Sequence, residues 1–358
     1  MQVYIEQQGI PDLPFSLVFW PNYKSPIKES RLFLRDIMEQ YQEPFFTIAQ
    51  TPEKADFFAI PFEFFDVFDH HSAYLEKVYT TARSLNKKVL LFDYTDHADR
   101  VPELPSHAVL FRVSVYRHHK LPNEIVMPYF VEHFGRRYGI TPKTGERTIT
   151  VGYCGYSQFK NSIRKWRAYG KHILQRLILW LRFDRNPSVH TRGIFWRQRA
   201  MRLLQTNGVS CRFIVRPFYS GHRMSVTLDA SDIRREYVEN LRLCDIALCV
   251  RGDANASQRF FETLSASRIP LFLDTDCVLP LEERIDYNRV LLRISWKELP
   301  RIAKRVRDWQ GTLSDEKMLK IEQEAREIYD TYLRLDRFFS VTFDREMSPY
   351  AKLLFKSS

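Results

Sequence analysis

A chain of 358 residues is too long for one comfortable hydrophobic core and suits two domains of ordinary size. With 44% hydrophobic, 14% aromatic and 27% charged residues its profile is globular, which excludes disordered and fibrous classes. The formal net charge of +11 is local: between Lys160 and Arg202 twelve Lys and Arg accompany one acid, Asp184, so this stretch holds the whole excess. Such a field favours a polyanionic partner, whether anionic lipid, nucleic acid or a phosphorylated substrate.

In chain order, the opening Met1-Gln2-Val3-Tyr4 lacks the basic and apolar regions of a signal peptide, and no apolar run reaches the ~20 residues needed to span a bilayer. A cytoplasmic protein, peripheral at a membrane at most, is therefore expected. Ser16–Trp20 reads as a strand, Ser30–Tyr41 as a helix and Ala55–Pro61 as a buried strand; Ala73–Asn86 has helical periodicity. Lys88–Phe92, Val109–Val113 and Ile125–Pro128 read as further short strands. The polar, turn-rich Thr141–Arg147 is the candidate linker.

A second series then begins with the strand Thr148–Tyr153 and a long basic helical region. It continues through the strand Cys211–Val215, the helix Ser231–Leu243, the strand Ile246–Val250 and a helix over about Ser257–Ser267. The strands Ile269–Asp274 and Val290–Ile294 and helices from Trp296 onward complete it. Strands alternating with helices imply parallel sheets. The expected architecture is α/β: two Rossmann-like domains facing each other, with the ligand site in the cleft at the carboxyl ends of the strands. The expected boundaries are 1–146, 147–335 and a segment 336–358 that packs back on the first domain. The five cysteines show no metal-binding spacing, and several sit in apolar runs, as free core thiols do.

The richest stretch is Asp245-Ile-Ala-Leu-Cys-Val-Arg-Gly-Asp-Ala-Asn-Ala-Ser-Gln-Arg-Phe-Phe-Glu262. A strand ends at Val250, a loop containing Gly252 follows, and a helix starts near Ser257. Free amides and the aligned peptide dipoles at that start make an anion site. Arg251 and Arg259 can converge on a diphosphate with forked hydrogen bonds. Ser257 can cap the helix and donate to a phosphate oxygen. Glu262, three residues after Arg259, can accept from both hydroxyls of a ribose. The plainer alternative is an Arg259–Glu262 surface ion pair with Ser257 as a cap alone.

Arg-Gly-Asp-x-x-x-Ser-x-Arg-x-x-Glu, followed by Ile269-Pro-Leu-Phe-Leu-Asp-Thr-Asp-Cys-Val-Leu-Pro280, resembles the signature of exostosin-family glycosyltransferases (glycosyltransferase family 47), in particular their soluble bacterial and viral members. Lys54-Ala-Asp-Phe-Phe-Ala-Ile-Pro61, Ile125-Val-Met-Pro-Tyr-Phe130 and Thr148-Ile-Thr-Val-Gly-Tyr-Cys-Gly155 agree more loosely, so the likeness spans roughly residues 54 to 310. It implies a GT-B fold and an inverting transfer, mostly from UDP-sugar donors, to a glycan or lipid-linked glycan acceptor. It places Arg251, Gly252, Ser257 and Arg259 on the donor diphosphate, Glu262 on the ribose, and Asp274, Thr275 and Asp276 along the donor sugar or base. Ser267-Arg268 stands where many relatives have Gly-Cys, which puts the backbone packing there in question.

Asp274-Thr-Asp276 imitates an Asp-x-Asp metal clamp, but in this strand context sugar contact is the preferred reading, and no cofactor or metal is expected. Arg251-Gly-Asp253 spells an adhesion tripeptide and Asn255-Ala-Ser257 a glycosylation sequon; both fall inside the proposed phosphate loop. The general base of an inverting transfer must come from the N-terminal domain. Asp96 and Glu63 each follow a buried strand, with Asp96 preferred and His97 a third candidate.

Within Arg164–Phe183, Trp166, Tyr169, Ile173, Leu177 and Trp180 recur at three- to four-residue spacing among basic residues. This is either a helix with its apolar side on the sheet and its basic side solvated, or an interfacial helix meeting an anionic membrane. A nucleic-acid-binding protein using the basic segment and an inactive scaffold are the alternative functions; no nucleic-acid motif accompanies that segment.

Overall fold

The structure, a computed structural model, describes residues 1–23, 32–145, 147–181, 190–219 and 228–355. Parts of the expected first helix (Ser30, Arg31), the linker residue Glu146, the basic-segment residues Arg182, Asp184 and Arg185, and residues 356–358 lie outside them. In the N-terminal half the strands are β1 (Gln2–Tyr4), β2 (Thr47–Ile48), β3 (Phe57–Glu63), β4 (Val89–Asp93), β5 (Ala108–Arg112) and β6 (Glu124–Val126). Helices α1 (Leu34–Glu39), α2 (Phe64–His70), α3 (Ser72–Ser84) and α4 (Phe134–Tyr138) accompany them. The strands pair in the order β2-β1-β3-β4-β5-β6, all parallel.

The second sheet contains β7 (Val151–Tyr156), β8 (Cys211–Arg216), β9 (Ile246–Cys249), β10 (Ile269–Asp274) and β11 (Leu292–Ser295). Its order is β11-β10-β9-β7-β8, again parallel. The helices α5 (Ser162–Leu181), α6 (Gly193–Thr206), α7 (Ala230–Leu243) and α8 (Gln258–Ser265) lie between these strands. After β11 come α9 (Ile302–Gln310), α10 (Asp315–Ile328), α11 (Leu335–Thr342) and α12 (Ala351–Phe355). Two parallel α/β sheets facing a cleft form the arrangement that the sequence resemblance implies.

Parallel strands covered by helices on both faces need continuous apolar runs, and Phe57–Phe62 and Val89–Asp93 are buried residue for residue. Phe92 and Phe111 stack with their ring centroids 5.4 Å apart. The far end of the chain covers them: Phe339 of α11 lies 5.2 Å from Phe45, 5.1 Å from Phe46 and 6.0 Å from Phe111, centroid to centroid. The expected strand at Ser16–Trp20 is instead a 3-10 turn at Leu17–Phe19. Its Val18 and Phe19 are buried by packing, with Phe19 edge-on to Phe92, and not by ladder pairing. The five cysteines are free, and burial pushes the Cys249 thiol up to about 12.

Helix α5 departs from the sheet-packed reading. Only Ala168 is buried, and Tyr169 and His172 rest on Phe195 at 4.7 and 5.2 Å. The apolar side chains turn outward, with Trp166 72% and Trp180 67% exposed.

Charge is buried at two places. Arg112, fully enclosed at the end of β5, donates to Asp93 (3.0 Å), Glu124 (3.0 Å), the Arg100 carbonyl (3.0 Å) and the His97 carbonyl. Burial raises the Glu124 pKa, against the opposing pull of Arg112. Elsewhere the linker is clamped. Arg147 pairs with the buried Glu322 at 2.9 Å, Lys143 with Asp245 at 2.9 Å, and Arg268 donates to the Thr141 carbonyl at 3.0 Å. The neighbouring Ser267 has φ 51 and a buried hydroxyl without a partner, a position a glycine occupies without strain.

Two stability outcomes follow from these contacts. Arg112→Leu strands two buried carboxylates and is expected to cost about 3–5 kcal/mol, read as a lower urea midpoint. Adding Asp93→Asn and Glu124→Gln should restore part of that loss. Ser267→Gly should raise the thermal midpoint, by about 1 kcal/mol of stability, by relieving the left-handed strain.

Candidate functional site

The chain leaves β7 for β8 on one side of the second sheet and builds β9, β10 and β11 on the other, so β7 and β9 meet at a topological switch point. Crevices outside the carboxyl ends of strands at such points are where open α/β sheets bind ligands. Here the crevice is pronounced. β7 pairs with β8 along its whole length, from Val151↔Cys211 to Tyr156↔Arg216. With β9 its register covers only Val151↔Ile246 and Gly152↔Ala247.

Two arginines bridge the splayed ends. Arg197 of α6 donates to the Tyr156 carbonyl (2.8 Å) and the Arg251 carbonyl (2.7 Å). Arg259 of α8 donates through Nη2 to the Cys154 carbonyl, lies 4.0 Å from the Tyr153 ring centroid and 5.3 Å from that of Tyr237, and keeps Nη1 without a protein partner. Gly155, at φ 153, makes room for this guanidinium: a Cβ there would stand 2.9 Å from Nη2. Gly193, at the start of α6, allows a similar approach, since a Cβ would stand 2.2 Å from the Arg251 carbonyl oxygen.

These groups face a cleft of about 700 Å³ between the sheets, within the size range of small-ligand sites. Ser257 occupies the N-cap position of α8, but its side chain makes no capping bond. The Phe260 amide donates to the Ser257 carbonyl at 3.0 Å, while the first two amides of a helix, here Gln258 and Arg259, have no intrahelical acceptor. Glu262 also lines the cleft and accepts a hydrogen bond from the Tyr237 hydroxyl. Burial raises the Glu262 pKa, while Tyr237, Arg234 and Arg259 pull it back. No Arg259–Glu262 ion pair forms; Arg259 lies between the Tyr153 and Tyr237 rings, and Glu262 accepts from the Tyr237 hydroxyl.

The facing wall comes from the carboxyl ends of β4 and β6. Asp96 and Tyr129 line the cleft. Glu132 reaches across to Arg234 of α7 at 3.3 Å and accepts from Tyr138 at 2.6 Å. Arg192 and Arg216 complete the basic lining; Arg216 pairs with Glu236 at 2.6 Å. The position of Arg216 at the end of a strand was a usable signal in the sequence. For Arg234 the only cue was helical periodicity, which places a residue on a face but names no neighbour.

Of the residues singled out in the sequence, Asp96, Gly252, Ser257, Arg259 and Glu262 come together in this cleft. The others do not. Arg251 is buried and turned away, donating to the Tyr116 hydroxyl and to the Asp253 carbonyl at 2.6 Å. Asp274 accepts from the Cys277 amide at 2.9 Å and lies 3.6 Å from Arg293. Thr275 is buried and donates to Asn255 at 2.7 Å, and Asp276 pairs with His118. This loop thus binds the second sheet to the Tyr116–His119 turn of the first, and the backbone bridge Tyr116↔Cys277 reinforces it. Asn255 is fully buried and donates to the Asp276 carbonyl at 3.2 Å, so the sequon at Asn255 is closed to glycosylation. Glu63 lies outside the cleft lining; its carboxylate accepts the Tyr94 amide at 2.7 Å and so shapes the turn that carries Asp96. His97, also outside the lining, packs edge-on to Phe65 at 5.6 Å.

No family model matches the chain. A stretch of 101 residues, 28% of this chain, is 30% identical to an exostosin-1 homolog of Caenorhabditis elegans, and it spans only 25% of that relative's length. Among solved structures, a glycosyltransferase from Rickettsia africae ESF-5 aligns over 85% of this chain and 78% of its own, with a TM-score of 0.37 and 11% identity. Anabaena Alr3699/HepE, in complex with UDP, aligns over 85% of this chain and 86% of its own, with a TM-score of 0.37 and 9% identity.

Proposed function

We propose that this chain is a glycosyltransferase of GT-B type that takes a sugar from a nucleoside-diphosphate donor, UDP-linked in the first instance, to a hydroxyl of a glycan or glycolipid. The observation that carries the reading is the buried, unpartnered Nη1 of the cleft-lining Arg259 near the start of α8, beside the uncapped Ser257 hydroxyl and one turn from Glu262. An arginine held by a carbonyl and two aromatic faces presents its remaining donors in a fixed direction, as diphosphate recognition requires. The resemblance of residues 251–280 to exostosin-type enzymes supports the same assignment.

In this reading the diphosphate lies against Arg259, Ser257 and the first amides of α8, with Arg192, Arg197 and Arg216 adding positive potential. Glu262 accepts from the ribose hydroxyls. The acceptor hydroxyl oxygen attacks the anomeric carbon from the opposite side and gives its proton to Asp96. The bond from that carbon to the phosphate oxygen breaks, and the diphosphate leaves with the electron pair. Donors already aimed at the leaving oxygens supply the charge stabilisation that a divalent cation provides elsewhere. The product is inverted at the anomeric centre.

Calorimetry with UDP tests the donor site. Arg259→Ala is expected to weaken binding by at least about 2 kcal/mol without unfolding the protein. Unchanged affinity in that variant would remove the assignment. The sign of the pH dependence also follows: the Glu262 carboxyl titrates above an ordinary glutamate, and the ribose hydroxyls need its ionised form. UDP affinity should therefore rise with pH through the Glu262 pKa and then level, and Glu262→Gln should flatten that rise.

The chemical step has its own readout. Asp96→Asn should abolish transfer while UDP affinity stays at the wild-type value, activity should persist in EDTA, and NMR of the product should show an inverted anomer. A retained anomer, or strict dependence on manganese, would overturn the mechanism.

A further inference from the structure

Helix α5 is amphipathic with its apolar side facing solvent. Ile163, Trp166, Ile173, Leu177, Trp180 and Leu181 are each at least half exposed, and at helical periodicity they share one side. Among the described residues, the opposite side rests on the protein through Ala168, Tyr169 and His172. Arg164, Arg167 and Lys171 flank the apolar stripe on one edge and Lys165 on the other. No carboxylate occurs anywhere in Ser162–Leu181, and none of these four cations has a carboxylate partner among the described residues.

We propose that α5 docks on the surface of an anionic lipid bilayer, its apolar side sunk to the level of the acyl boundary and its flanking cations among the headgroup phosphates. Charge decides the occupant. A second copy of the chain would bring the cations of one α5 against those of another with no acid between them. An anionic lipid surface satisfies both features of the helix at once: the hydrocarbon boundary takes the apolar side, with indoles favoured at the interface, and the phosphates take the flanks. None of the described helices is long and apolar enough to cross a membrane, so α5 lies in the interface plane. The chain enters α5 from Tyr156 and returns to α6 at Arg192, both of which line the cleft. Docking therefore brings the mouth of the cleft beside the lipid. The proposal stands independently of the transferase reading.

Co-sedimentation of the full chain with vesicles tests it. Binding is expected to vesicles of phosphatidylglycerol mixed with phosphatidylcholine at low salt, with release near 1 M salt, where the Debye length falls to about 3 Å. Binding to phosphatidylcholine alone should be weak. Replacing Arg164, Lys165, Arg167 and Lys171 by Gln should weaken anionic binding about fivefold per cation. Trp166→Glu with Leu177→Glu should abolish it. Far-UV circular dichroism and the thermal midpoint should match those of the wild type in both variants, which confirms that they fold and separates this test from that of the donor site. Absence of vesicle binding, equal binding to both vesicle types, or a dimer in analytical ultracentrifugation that Trp166→Glu with Leu177→Glu dissolves would each overturn the proposal.

Discussion

The second half of the molecule is organised by the parting of β7 and β9 beyond Gly152 and Ala247. Parallel strands leave their polar backbone groups unpaired where they separate, and buried carbonyls need partners. Here the partners are side chains: Arg259 takes the Cys154 carbonyl, and Arg197 takes those of Tyr156 and Arg251. Satisfying the backbone thus brings guanidinium groups to the floor of the crevice. Each such bond fixes one side of an arginine that lines the cleft. The tyrosines that flank Arg259 have the same double use, since Tyr153 donates back to the Tyr156 carbonyl at 2.9 Å and Tyr237 donates to Glu262. The site is assembled by the same bonds that close the fold around the switch point.

The facing wall is fixed by a comparable device. The loop that bears Asp96 leaves β4 at Asp93, whose carboxylate accepts from the Thr95 amide at 3.0 Å and from Arg112 at the same distance. Arg112 then grips the carbonyls of His97 and Arg100, and Glu63 takes the Tyr94 amide. A buried ion pair of this kind contributes little net stability, because desolvation offsets the Coulomb gain. Its effect here is positional: it leaves the loop that carries the exposed Asp96 one arrangement at the end of a buried strand.

Much of this could be read from the residues. Continuous apolar runs such as Phe57–Phe62 announced parallel strands, and the strand–loop–helix pattern at 245–262 located the cleft, because both depend on local periodicity and on free amides at a helix start. What failed had a common cause. Arg251, Asp274, Thr275 and Asp276 carry the right chemistry at strand ends, yet their side chains turn to Tyr116, Arg293, Asn255 and His118, partners supplied by distant segments. Sequence spacing places a residue on a loop and does not say which neighbour the loop will meet. The strand expected at Ser16–Trp20 failed for a related reason, since an apolar run looks the same whether it is buried in a ladder or under Phe46 and Phe92. Ser267 is the opposite case: its departure from the family pattern flagged a backbone position that does have a left-handed φ.

Charge links the cleft to helix α5. The excess of +11 lies in one stretch of sequence, and six of its described cations fall into two groups in space. Arg192 and Arg197 turn inward, where carbonyls and the cleft engage them. Arg164, Lys165, Arg167 and Lys171 stay on the exposed helix, where nothing in the described chain neutralises them. A solvated helical face with no role beyond solubility would carry mixed charges and keep its apolar residues inward. Helix α5 does neither, and its charge and its hydrophobicity fail as solvent-facing features in the same place. On the two proposals above, inward arginines would draw a phosphorylated ligand to the strand ends, and outward cations a phosphate-bearing surface to the adjoining helix. One basic segment would thereby serve two anionic environments, joined by the few residues between Tyr156 and the start of α5.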